Sequence, residues 1–457
     1  MTDKHLEEFT QNYSTGLRFT SDSMDCSLPI AMDSHSGCSF GCLYCFSNNL
    51  MRAPDRNRKV QRRIVREKSI CTEYPIRRLE RFLNREENSA FSRAAYPLLD
   101  DGVPMQLGAL GDPFDNLELQ SGWAKQAIPL FIKHQVPVRV GTKGGELLQR
   151  SDYLRLFESS PDQFWFAWSI ICNDDDLIGK IDIGAPTASA RLAAMKLLTD
   201  LGCNCSIRFR PFLPGVSDAY PGEPEAWKKL IYRAREAGAR AISFEFIFLS
   251  RTLTKRQKNM YRVLFRNMGN PMFGKEWRKM SHGSESCLRA TRSYKYDMTM
   301  KIREYVHSLG MTFGCSDPHF KEFNDTGSCC GMPERGNRWF SNWSRRQLTE
   351  VIVQAKRAFD DGNPRQFSYL DWASIWSHQI HGAGYMYNAG NWHSHNIRKN
   401  ETWGDRLRNV WNNPKHPRNP YMYFEKVLCP VGVDKNTGDL VYEYRPWRSK
   451  LRVGKTT

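Results

Sequence analysis

No stretch of the 457 residues is apolar for long enough to cross a membrane as a helix. The opening residues, Met1-Thr2-Asp3-Lys4-His5-Leu6-Glu7-Glu8, are charged and lack the apolar core of a secretion signal. Nothing reads as low complexity, and no repeat stands out beyond the β–α rhythm described below. Acid is also in deficit: 49 Asp and Glu face 66 Lys and Arg, leaving a net charge of +17. The expectation is a soluble, cytoplasmic chain with no membrane partner, whose 13 cysteines are reduced thiols or metal ligands rather than a disulfide framework. Excess base with 12% aromatic residues suits a phosphate-rich partner, since Lys and Arg release counterions and rings stack on bases. A basic surface kept for solubility would show the same excess.

What is present is concentrated in one stretch, Gly37-Cys38-Ser39-Phe40-Gly41-Cys42-Leu43-Tyr44-Cys45-Phe46. Its three thiols are an odd number for disulfides and one short of a closed tetrahedral zinc site. Gly37 and Gly41 leave the backbone free to wrap something bulky. An iron–sulfur cube held at three corners keeps its fourth iron open for another ligand. The stretch therefore reads as a [4Fe–4S] site whose free iron takes S-adenosylmethionine (SAM). A partial zinc knuckle borrowing a distant fourth ligand is the competing reading.

With Tyr44 before the last cysteine, this motif resembles that of the radical SAM superfamily. The resemblance implies a reduced cluster that cleaves SAM to a 5'-deoxyadenosyl radical, which abstracts hydrogen from a substrate. It also implies a one-electron donor such as flavodoxin or ferredoxin.

Residues 1–27 read as a polar lead-in, and 28–32 as a first strand feeding the cysteine loop. A basic run from Arg52 to Lys68 holds eight Lys or Arg against two acids, and suits either an anionic surface or a solvated helix face. From residue 104 strands and helices alternate. Strands are expected at 104–110, 136–140, 164–171, 204–209 and 239–248, and helices at 121–134, up to about 157, 189–201 and 223–237. Six such units predict an α/β protein with a parallel sheet. The resemblance narrows this to a partial (β/α)6 TIM-like barrel over 28–250. After it come a helical, cysteine-containing extension (251–340) and an aromatic, basic region (341–457) with a helix at 345–360 and a hairpin at 422–444.

Three blocks follow the cysteine loop: Gly111-Asp112-Pro113-Phe114-Asp115, Gly141-Thr142-Lys143 and Arg150-Ser151-Asp152. Trp168-Ser169-Ile170 and Arg208-Phe209-Arg210-Pro211-Phe212 complete the series. In this order they resemble the spore photoproduct lyase-like branch of the superfamily, over roughly residues 30–250. The resemblance implies that Lys143 and Ser169 orient SAM. Asp112 is expected to accept from the SAM amino group or ribose, or to cap the turn before Pro113. Arg208 is a candidate contact to SAM or substrate, and with Arg210 two residues on, both face the barrel mouth. Glu118 reads as structural. One departure stands out: the block 108–112 lacks the cysteine from which lyases of this branch donate hydrogen. This points to a different radical reaction on a related substrate.

A second cysteine group comprises Cys287, Cys315, Cys329 and Cys330, with His319 a substitute ligand. It is either an auxiliary iron–sulfur site or a set of buried free thiols. Cys203 and Cys205 alternate on a strand and read as core, while Cys26, Cys172 and Cys429 carry no assignment. In the C-terminal part, Trp372, Trp376, Trp392, Trp403 and Trp411 accompany Arg398, Lys399, Arg406 and Arg408, as a base-stacking platform or a packed core. His393 and His395 read as hydrogen-bonded core residues. The function expected is hydrogen abstraction from a nucleic acid base or nucleotide, in DNA repair or base modification. The alternatives are radical modification of a small metabolite or peptide, or a nucleic-acid-binding protein with a structural cluster.

Overall fold

The computed structural model describes residues 17–20, 25–34, 38–45, 74–220, 222–250, 277–282, 285–332, 337–340, 348–375 and 403–447. The core is one eight-stranded sheet: β1 (Leu17–Phe19), β2 (Ile30–Met32), β3 (Met105–Leu107), β4 (Val138–Thr142), β5 (Phe164–Ser169), β6 (Asn204–Phe212), β7 (Ala241–Phe246) and, after an insertion, β11 (Thr312–Cys315). From β2 onward every neighbour is parallel and the spatial order follows the chain. A doubly wound sheet reverses its order at a switch point. Sequential order with right-handed crossovers instead keeps all helices on one face, which is the winding of a (β/α) barrel. Among the described residues β1 and β11 are edges, so the barrel is partial.

The strands place two kinds of residue on two faces. Val138, Val140, Phe164, Phe166 and Ile207 are buried beneath the helices. On that side Phe157 meets Phe166 edge-on at 5.1 Å, and Cys205 Sγ reaches Met195 O in the helix Ala188–Asp200. In register on the opposite, inner face lie Gln106, Arg139, Gly141, Trp165, Ala167, Ser169, Ser206 and Arg208. Parallel strands buried on both faces are usually apolar throughout. Here the inner face is polar or small apart from Trp165, which suits a lumen that takes a ligand. At its N-terminal end that lumen is filled by later chain: Phe340 packs edge-on against Trp165, and the Cys329 carbonyl accepts from Ser243 Oγ.

Two expectations need correction. Residues 17–19 belong to the sheet: β1 pairs antiparallel with β2 over three residues, too short to show a period. The core also runs beyond residue 250, because the helix Arg292–Ser308 and β11 add a further parallel unit. The insertion between β7 and that helix, with β8 (Phe248–Ser250), β9 (Trp277–His282) and β10 (Glu285–Ala290) in a separate sheet, hides the repeat. Between β2 and β3 stand two helices, Tyr74–Leu83 and Ala90–Asp100, the latter opened by a capping box at Ser89 and Ser92.

The C-terminal region has the helix Leu348–Asp360 and a three-stranded sheet in which β14 (Leu440–Tyr444) lies between β12 (Gln366–Phe367) and β13 (Leu428–Val433). Trp372 and Trp411 stack there at 5.5 Å, and Trp411 meets Tyr442 edge-on, so these rings are core. Trp376, Trp392, His393, His395, Arg398, Lys399 and the basic run Arg52–Lys68 lie outside the described residues, as do the side chains of Trp403 and Arg406. No described helix is long and apolar enough to cross a membrane.

Candidate active site

The sequence blocks converge because each follows a strand of the same parallel sheet, and so ends at the same edge. The cysteine loop leaves β2, Asp112 follows β3, Lys143 follows β4, and Ser169 ends β5. Asp33, just past β2, accepts the Leu110 and Gly111 N–H groups at 2.8 and 3.0 Å and pairs with Arg18, tying the first two loops together.

The cysteine loop is pinned from two sides. Ser39 N donates to Asp115 Oδ2 at 2.6 Å, and Asn116 N to Ser39 Oγ at 3.1 Å. On the other side Leu43 N donates to Ile181 O at 3.0 Å, and Gly184 N to Phe40 O at 2.9 Å. A side chain on Gly184 would collide with the Ser39 and Phe40 carbonyls. Gly41 has φ +62°, a left-handed turn that lets the chain double back between Cys38 and Cys42. None of the three thiols is in a disulfide; Cys42 is buried, and Cys38 and Cys45 are partly so.

Beside them runs a buried ionic chain. Lys143 Nζ donates to Tyr44 Oη at 2.6 Å and faces Asp182 Oδ2 at 3.3 Å, and Arg191 Nη1 reaches the same oxygen at 2.9 Å. Arg191 also donates to the Ser169 carbonyl at 2.8 Å. Burial works against the Asp182 carboxylate, but Lys143 and Arg191 outweigh it and hold it at about 2. Asp112 accepts from Lys143 N at 2.6 Å, Thr142 Oγ1 at 2.8 Å and Phe114 N at 3.0 Å. It thus caps its own turn and clamps the β4 loop, and burial raises it to about 6 despite those donors.

Lys143 and Asp112 therefore serve the protein's own network, while the Ser169 side chain is buried at the sheet edge. Glu118 is structural: it accepts from Ala124 N at 3.0 Å and Tyr153 Oη at 3.2 Å, at the head of the helix Trp123–Lys133. Arg150 and Asp152 form an exposed pair with Lys125. Arg208 lies on the inner face, and Arg210 pairs with Glu245, Nε to Oε2 at 2.8 Å.

Asp182 and Arg191 were not legible in the sequence, since an aspartate after one helix and an arginine inside another carry no motif. Arg139 did leave a signal, a lone charge inside the apolar run Val136–Val140.

Whether the loop fits an iron–sulfur cube turns on its donors. Ligating thiols must be deprotonated. Burial, with Asp115, Asp112 and Cys42 beside it, pushes the Cys38 thiol far up, and burial with Asp182 does the same to Cys42. Thiolates in so acidic a setting need a cationic core as counter-charge, which a cube supplies. Among the described residues no three His, Cys, Asp or Glu converge as ligands of one ion would. A cube gives each thiolate a different iron, so its ligands need not converge. The donor set fits.

The second cysteine group is not assembled. Gly314 on β11 meets Gly331 and the Cys329 carbonyl, so the next residue, Cys315, is turned by strand alternation to the opposite face. His319 is held by Asp317 Oδ1 at 3.0 Å and Lys295 Nζ at 2.8 Å. The Cys287 side chain lies outside the described residues. Among the described side chains, Cys315 is therefore not brought together with Cys329 and Cys330 as the expected auxiliary site requires. Cys329 and Cys330 instead face the lumen, with Cys26 near Arg139.

No protein-family model and no curated protein matches the chain. Among solved structures it is similar to spore photoproduct lyase complexed with dinucleoside spore photoproduct, at 14% identity over 65% of this chain and 78% of that one, with a TM-score of 0.43. A variant of that lyase with bound AdoMet and the same dinucleoside shows 14% identity, 64% and 78% coverage, and a TM-score of 0.42. Another variant shows 14% identity, 64% and 78% coverage, and 0.45.

Proposed function

We propose that this chain is a radical SAM enzyme acting on a nucleic acid base or nucleotide. One observation carries the reading: three cysteines outside any disulfide share a pinned loop at the C-terminal edge of a singly wound parallel sheet, above a polar lumen. Cys38, Cys42 and Cys45 would hold a [4Fe–4S] cluster, and SAM would complete it. Together, when bound, these supply a 5'-deoxyadenosyl radical for hydrogen abstraction.

The chain's own residues do the positioning. Lys143, braced by Tyr44 and Asp182, offers an ammonium to the SAM carboxylate, and Ser169 offers a hydroxyl. Arg191 fixes the Ser169 backbone from below. Asp112, which burial raises to about 6, fixes the β4 loop through the bonds its carboxylate accepts. The polar inner face admits a substrate from the same edge. The excess of positive charge supports a phosphate-bearing substrate, and a base within duplex DNA would have to leave the stack to reach the lumen.

Anaerobic reconstitution with iron, sulfide, reductant and SAM tests the reading. Release of 5'-deoxyadenosine, with deuterium carried into it from a labelled nucleotide or oligonucleotide, is expected. Intact SAM beside a reduced cluster would leave only a structural role for the iron.

A further inference from the structure

Two arginines on the inner face of the sheet have no hydrogen-bond or ion-pair partner among the described residues. Arg139, on β4, is 2% exposed, and Arg208, on β6, is more open. The Nε–H of each is shielded from water and meets no acceptor among the described residues. Their neighbour Arg210 behaves as buried arginine usually does and is paired with Glu245.

The two guanidinium groups converge. A Cβ on Gly141 would lie 3.0 Å from Arg139 Nη1 and 3.6 Å from Arg208 Nη1, so both reach one point on β4. The Gly108 carbonyl oxygen, 2.7 Å from the same point, also forbids a side chain there, so glycine leaves the space open, directly beneath Thr142 and Lys143. Guanidinium stays charged at any working pH. Burial, and then repulsion by Arg210 and Arg139, weakens the hold of Arg208 on its proton, and Cys330 and Glu245 offset this only in part. Glu245 answers Arg210, and the thiols of Cys330, Cys329 and Cys26 are the other groups of opposite tendency near the cluster; a hydrogen bond with Cys329, and then Arg139, Arg210 and Arg208, hold the Cys330 thiol well below its usual range. Sulfur accepts hydrogen bonds poorly and leaves the guanidinium forks empty.

We infer that Arg139 and Arg208 form an oxyanion subsite inside the barrel, which takes a phosphate group of the substrate. Two planar forks side by side exceed what a carboxylate can satisfy, since one fork already uses both its oxygens. A tetrahedral phosphate has oxygens to spare and bridges both. The subsite lies on the barrel axis side of Lys143, so a nucleotide anchored there by its phosphate directs its base toward the cysteine loop; this orientation, though not the subsite, rests on the proposed function.

The test is calorimetry on the full chain with its cluster reconstituted, using thymidine, thymidine 5'-monophosphate and the dithymidine phosphodiester as probes. The monophosphate should bind at least about tenfold more tightly than thymidine, and the diester's rank decides between a mononucleotide and a strand as the source of the phosphate. Arg139→Gln and Arg208→Gln should each abolish that preference, while Arg365→Gln, on the surface beside Asp371, should leave it intact. Should Arg139→Gln fail to fold, the wild-type comparison of monophosphate with thymidine still decides. Equal affinities for the two, or displacement of the monophosphate by SAM, would overturn the subsite. 5'-Deoxyadenosine measured in the same samples separates the two readings. SAM cleavage without phosphate preference removes the subsite alone, whereas phosphate preference without SAM cleavage removes the radical reading and keeps the subsite.

Discussion

The chain has two dense groups of cysteine, and the fold treats them in opposite ways. Cys38, Cys42 and Cys45 stand in one loop, where short spacing keeps Cys42 near each of the other two and the left-handed Gly41 lets the chain double back. Cys315, Cys329 and Cys330 are spread over a strand and a later turn, where spacing means something else. On a strand neighbouring residues face opposite sides, and Cys315 is separated from Cys329 and Cys330 by the sheet itself. Cysteine density is therefore evidence for a metal site in a loop and weak evidence across a strand.

Replacing cysteines one at a time gives the sharpest break between the two groups. Ala at Cys38, Cys42 or Cys45 should abolish both bound iron and SAM cleavage. Ala at Cys315 should leave iron content and the iron–sulfur absorbance unchanged, at a stability cost of about 1–2 kcal/mol for a buried side chain. Iron lost equally from both groups would restore the auxiliary cluster.

A second test concerns how the loop is braced. Asp182→Asn removes the anion shared by Lys143 and Arg191 and leaves two buried cations facing each other. A cost of roughly 3–5 kcal/mol is expected in chemical denaturation. Arg191 already has one buried nitrogen without an acceptor, so little is available to compensate. A loss below about 1 kcal/mol would show the chain to be dispensable.

The smallest effect belongs to the far side of the molecule. Glu322, which faces Tyr444 and Arg292, is raised by burial to about 7, against the pull of a hydrogen bond from Tyr444. Its ordinary value is 4.5, so between about pH 4.5 and 7 the folded state holds a proton that the unfolded state has released. Stability therefore falls as pH rises through that window, by at most about 3 kcal/mol. Glu322→Gln should flatten that slope, as read by thermal midpoints at pH 5 and 7. An unchanged slope would assign it to other groups.

Much of this was legible in the residues. The rhythm of apolar strands and amphipathic helices marks out β2 to β7 within a few residues, because each strand is buried against helices and must be apolar on that face. The cysteine loop and the ends of β3, β4 and β5 are legible because glycine, proline and isolated polar residues interrupt apolar runs there. The last parallel strand was hidden by an insertion, and β1 by its length.

By itself, the order of residues determined a parallel α/β core, a three-thiol loop at its first strand end, and a strongly basic chain. Only the folded chain decided that Lys143 is shared between Tyr44 and Asp182, that Cys315 and Cys330 face different compartments, and that Arg139 and Arg208 meet over Gly141. Periodicity along a chain reports which face a residue is on. What stands opposite that face depends on strand order and register, which segments far apart in sequence settle jointly.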